Sequence, residues 1–109
     1  MSTTTERWDD LIARAHALGF TVELVEYCES ADSPGLLGAA LGVCIYAKRL
    51  IRLREKLNPE DRCFILAHEL EHAEAGPDRE VNAEIDRRYH AEQRDVIDSI
   101  SDRVYGEWR

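Results

Sequence analysis

Apolar residues recur at three- and four-residue steps over Trp8, Leu11, Ile12, Ala15 and Leu18, which predicts an amphipathic helix from Glu6 to Leu18 that stops at Gly19. Phe20 to Tyr27 is rich in β-branched and aromatic residues with acidic residues between them, the pattern of a partly exposed strand. Cys28 to Gly35 gathers Ser30, Asp32, Ser33, Pro34 and Gly35 and reads as a loop. Two more β runs follow, Leu41 to Ala47 and Leu50 to Arg54, and their simplest pairing is a hairpin across Lys48-Arg49, although neither residue suits a tight two-residue turn. Asn58-Pro59-Glu60-Asp61 then supplies an N-cap, a proline in the first turn and acidic residues at the positive end of a helix dipole. That helix runs through Cys63, Phe64, Leu66, Ala67 and Leu70 to about Ala75, where Gly76-Pro77 breaks it. From Asp78 onward, Val81, Ile85, Tyr89, Val96, Ile100 and Val104 mark one face of a long charged helix ending near Gly106.

This order predicts an α+β fold: an N-terminal helix, a small three-stranded twisted sheet, antiparallel or mixed, and two packed helices at the C-terminal end. With 109 residues, 44% of them hydrophobic, residues 1–109 form one domain with enough apolar surface for a core. The balance of 14 basic against 22 acidic residues gives a net charge of −8, which opposes sequence-independent binding to nucleic acid. The local exception is Lys48, Arg49, Arg52, Arg54 and Lys56 against Glu55, read as a solvated strand face. The uncharged stretch from Ser33 to Ala47 is too short to cross a bilayer, and the first residues lack the basic and apolar regions of a secretory signal. The expected location is the cytoplasm. Cys28, Cys44 and Cys63 are odd in number and widely spaced, so they are expected to be free thiols and neither a disulfide framework nor a thiolate zinc site.

His68-Glu69-Leu70-Glu71-His72 carries the H-E-x-x-H spacing inside a helix predicted on other grounds. One turn separates the histidines, so both imidazoles leave the same face and can bind one Zn²⁺ ion. Glu69 beside them is placed to take a proton from a water as it attacks a carbonyl, which is the chemistry of peptide hydrolysis. A catalytic zinc needs a third protein ligand and an open fourth position. His16 and His90 belong to other helices and are expected at the surface, so the third ligand should be a carboxylate from the returning helix: Asp78, Glu80 or Glu84. With Val81, Ile85 and Tyr89 as the inward face, Asp78 falls on that face and is preferred. Glu80 competes if the turn holds the two helices apart, because Glu reaches further than Asp.

The segment from Arg49 to Tyr89 resembles the ImmA/IrrE family of metallopeptidases, in which an RxIxLxxxL strand, an acidic helix start, an LAHEL-x-H core and an E-x-x-A-(N/D) helix occur in this order. The resemblance covers about 40 of the 109 residues. It implies a zinc-dependent endopeptidase of the kind often encoded by phages and mobile elements, which in some members cleaves a repressor. It puts His68 and His72 at the metal-ligand positions, Glu69 at the catalytic base, Val81-Asn82 at A-(N/D) and Asp78 where the family has a ligand glutamate. The Asp and the short connection between the helices depart from the family pattern. The spacing from His72 to Asp78 is also similar to that of metzincin-like peptidases, whose glycine sits one place earlier than Gly76.

The expected function is zinc-dependent hydrolysis of a peptide bond in a protein substrate. The acidic surface favours a basic partner such as a DNA-binding repressor. Leu41 to Ala47 or Leu50 to Arg54 is expected to hold the substrate as an added strand. Tyr46, Tyr89 and Arg52 are the available donors to a transition-state oxyanion. The rival reading is a protease-fold binding module with a weak metal site that regulates a partner by contact.

Overall fold

A computed structural model describes residues 3–26 and 41–105. The loop predicted at 28–35, Cys28 and the helix end near Gly106 lie outside the described residues. The elements are α1 (Thr4–Ala17), β1 (Thr21–Val25), β2 (Gly42–Ile45), a 3₁₀ turn (Tyr46–Lys48), β3 (Leu50–Arg54), α2 (Pro59–Ala75), α3 (Arg79–Glu92) and α4 (Arg94–Tyr105). The fold is α+β, as the order of hydrophobic patterns predicts.

The sheet is mixed, with strand order β1-β3-β2. β3 pairs parallel with β1 and antiparallel with β2, Cys44 facing Ile51 and Gly42 facing Leu53. The expected β2–β3 hairpin is therefore present, but its connection differs. In place of a two-residue Lys48-Arg49 turn, the chain closes through the 3₁₀ turn and Arg49 at φ 51°, because neither Lys nor Arg favours the two consecutive positive φ values of the tightest hairpin. β3 is central, so Leu50 to Arg54 cannot receive an added strand, and among the described residues β2 is the outer strand on its side. Lys48, Arg49 and Lys56 are exposed as the solvated-face reading expects, but the central place of β3 corrects that reading for its two arginines. Arg54 is completely buried, and Arg52 is half-buried with its Nε 3.7 Å from Glu23.

α1 and α2 lie against the sheet, α1 along β1 and α2 along β2 and β3. They run side by side in the same direction. Cys63 Sγ near the start of α2 lies 3.7 Å from Thr4 O, and Arg14 near the end of α1 pairs with Glu74 near the end of α2 at 2.7 Å. The core joins Ala15, Phe20, Ile51, Leu53, Leu66, Leu70, Ile100 and Val104, with Trp8, Leu11 and Ile12 of α1 and Leu18 at its C-cap packed against it, the stripe that the helical periodicity marks. Gly42 is where β2 meets α2: a Cβ there would stand 2.8 Å from Ile65 Cγ2. The absence of a side chain lets the outer strand approach the helix that bears the histidines.

α2 begins as expected, with the Asn58 side chain accepting from Asp61 N at 2.8 Å and Pro59 in the first turn. It ends at Gly76, φ 79°, a backbone conformation that glycine adopts without strain. The predicted long C-terminal helix is divided at Gln93 into α3 and α4. The break has a packing reason. It turns Ile100 and Val104 into the main core and brings Arg103 to Asp61, where Nε and Nη2 donate to Oδ2 and Oδ1 at 2.8 Å each. Among the described residues, no helix is long and apolar enough to cross a membrane.

Candidate metal centre

α2 is buried on most of its circumference, with Leu66, Leu70 and Ala73 facing the core and Glu69 and His72 also shielded. His68 and His72, one turn apart, project together and their Nε2 atoms stand 3.1 Å from each other. α3 crosses their open side and contributes Asp86, whose Oδ1 lies 3.1 Å from His68 Nε2 and 2.9 Å from His72 Nε2. Among the described residues these three are the group of His, Cys and acidic side chains able to hold a metal ion, with donor atoms within 4.8 Å of one another. Four-coordinate zinc, with ligands at about 2.0–2.2 Å, needs donors roughly 3.3 Å apart, so two imidazole nitrogens and a carboxylate at these separations suit it with a small spread.

The carboxylate beside the histidines is thus Asp86 and not Asp78. The reason is rotational. Val81, expected on the inward face, is 45% exposed, and the stripe that meets α2 runs instead through Asn82, Ile85, Asp86 and Tyr89. Asp78 is the N-cap of α3, its Oδ1 accepting from Val81 N at 3.0 Å. Glu80 is exposed, and Glu84 is exposed and paired with Arg87 at 2.7 Å. His16 and His90 are exposed, as expected.

Asn82 is the residue that periodicity and spacing left without a role. Its Oδ1 accepts a short hydrogen bond from His72 Nδ1, which turns Nε2 toward Asp86 as the nitrogen able to ligate a metal once it gives up its proton. Its Nδ2 donates to Gly76 O and Asp78 O, 2.7 Å each, so one side chain fastens the turn between α2 and α3 and orients the imidazole. The Tyr46 hydroxyl, from the 3₁₀ turn, lies 2.6 Å from His72 O and 2.8 Å from Asn82 Oδ1 and shares its proton between them. An Asn four residues before an Asp on one helix was a legible sign that the two share a face.

On the other flank, the Tyr89 ring meets His68 edge to face at 4.2 Å, and Phe64 packs on Tyr89 at 5.9 Å. Arg88 pairs with Glu71 and closes α3 onto α2. Of the three expected oxyanion donors, Tyr46 is engaged with His72 and Asn82, Tyr89 is hydrogen-bonded to Glu71, and Arg52 is paired with Glu23.

Glu69 is buried, its Oε1 3.9 Å from His68 Nε2. Burial raises its pKa, partly offset by the neighbouring imidazoles. Burial opposes charge on His72, yet the hydrogen bonds to Asp86 and Asn82 and the charge of Glu69 outweigh it and lift the imidazole to about 9. Burial likewise works against the Asp86 carboxylate, but its contacts with both histidines hold it far below the usual range. Among the described residues, a larger and a smaller cavity open on the centre. The larger, about 520 Å³, is lined mostly by polar groups including Tyr46, Arg79 and Asn82; the smaller is about 280 Å³.

The pattern of strand, acidic helix start and paired histidines has a counterpart in known proteins. Residues 30–97, more than half of the chain, match the family model Peptidase_M78, described as the IrrE N-terminal-like domain. The chain belongs to this peptidase family. No curated protein and no solved structure gives a significant match to it. The matched segment contains α2, α3 and every residue of the centre, so the protein has a protease fold with a candidate His-His-Asp metal site.

Proposed function

We propose that the protein is a zinc-dependent endopeptidase in which His68, His72 and Asp86 hold the metal and Glu69 is the general base. The observation that carries this is the convergence of His68 Nε2, His72 Nε2 and Asp86 Oδ1 at 2.9–3.1 Å beside a buried Glu69. When bound, zinc polarises a carbonyl and makes a water acidic enough to be deprotonated near neutral pH. The chain's own residues do the rest. Asn82 orients the His72 ring, and Glu69, whose pKa burial raises, is placed to take a proton and return it to the leaving amine. β2 borders the larger cavity through Gly42, Val43 and Cys44, and an extended substrate would add along this strand. The partner is a protein substrate, and the net charge of −8 favours a basic one such as a DNA-binding repressor.

The test is cleavage of a peptide library by zinc-loaded wild type and Glu69→Gln. The variant should keep its zinc and lose activity by roughly 10²–10⁴-fold. A fully active Glu69→Gln protein contradicts the mechanism, and a zinc-loaded wild type that cuts nothing favours a binding module.

A further inference from the structure

We propose that the smaller cavity receives an apolar side chain of the substrate, on the residue adjoining the scissile bond. This rests on the peptidase reading above and adds the substrate class. The cavity, about 280 Å³, shares His68, Glu69 and Asp86 with the larger one, so its inner end is the metal centre itself. Neighbouring residues of an extended chain are ~3.8 Å apart, so a side chain entering this cavity from a peptide held at His68 and Glu69 belongs to a residue beside the bond being cut.

Its walls decide the chemistry. Phe64 and Ile65 of α2, Tyr89 of α3, Ile97 of α4 and Leu41 before β2 supply the apolar surface. Among the described residues no Lys or Arg lines it; His90 and Ser101 are further polar residues on its wall, and the carboxylates of Glu69 and Asp86 at its inner end repel an acidic side chain. Arg79 lies instead in the larger cavity, on the polar side of the centre. At about 280 Å³ it has room for a single side chain. Ile97 is the last residue matched to the family and Ser101, also on the wall, lies beyond it. α4, brought into place by the break at Gln93 and the Arg103–Asp61 pair, therefore forms one side of the specificity pocket.

The experiment titrates zinc-loaded wild type, Ser101→Trp and Ile97→Ala with short peptide hydroxamates that differ only in the side chain next to the chelating group: isobutyl, benzyl, hydrogen or carboxymethyl. Zinc content is measured on every sample. Isobutyl and benzyl probes should bind wild type roughly 10–100-fold tighter than the hydrogen analogue, and the carboxymethyl probe no tighter than it. Ser101→Trp, which fills the cavity, should compress that spread to less than about 3-fold, and Ile97→Ala should shift preference toward benzyl. The wild-type series and Ile97→Ala decide the matter even if Ser101→Trp does not fold. Equal affinity across the series with zinc bound overturns the pocket and leaves the peptidase reading standing. Failure to take up zinc overturns both.

Discussion

α2 and α3 each supply part of the metal centre, and they do so by different physics. α2 is clamped on most sides, with Leu66 and Leu70 fully buried, and the positions of His68 and His72 follow from the helix repeat alone. α3 buries only Ile85 among its residues, and its place is set by polar ties: Asn82 to the turn, Arg88 to Glu71 and Asp86 to the histidines. Half of the site is built into the core, and the other half is docked onto it. Substitutions in α2 should therefore act on folding, and those in α3 on the site.

The largest effect expected is on α2. Leu70→Ala removes a fully buried side chain from the core and should cost about 3–5 kcal/mol, with Ile85→Ala on α3 nearer 2 kcal/mol, read by urea denaturation. Equal costs would contradict the contrast between the helices. Next in size is Asn82→Ala, which frees His72 Nδ1 and the turn carbonyls and should weaken zinc roughly 10–100-fold. A competition titration against a chelator measures this, and unchanged zinc affinity would mean that Asn82 only holds the turn. The smallest effect concerns Cys44 on β2. Burial and the charge of Glu69 push its thiol up to about 12, so at pH 8 it stays protonated and should resist iodoacetamide in native protein while reacting in urea. Rapid native alkylation would show that water reaches the α2 flank freely.

The same division explains what could be read without coordinates. The start of α2 at Asn58-Pro59, its end at Gly76 and the pairing of His68 with His72 are local matters of capping, backbone preference and helix repeat, and spacing reveals them. The α+β class and the apolar stripe of α1 follow from periodicity in the same way. Which carboxylate joins the histidines depends on how α3 is rolled against α2, and its apolar residues are too few to decide that. Val81, Ile85 and Tyr89 suggest one face, while Asn82, whose hydrogen bonds cross to the other helix, selects the next. The break at Gln93 was hidden for a related reason. Apolar residues continue on both sides of it, and only the pull of Ile100, Val104 and Arg103 toward the core separates α3 from α4.

The most direct test is zinc affinity and stoichiometry in wild type, Asp86→Ala and Asp78→Ala, measured by chelator competition and mass spectrometry after refilling with zinc. The account predicts one zinc per chain, weakened at least roughly 100-fold in Asp86→Ala and nearly untouched in Asp78→Ala, whose carboxylate only caps α3. Zinc lost in Asp78→Ala and kept in Asp86→Ala would contradict it.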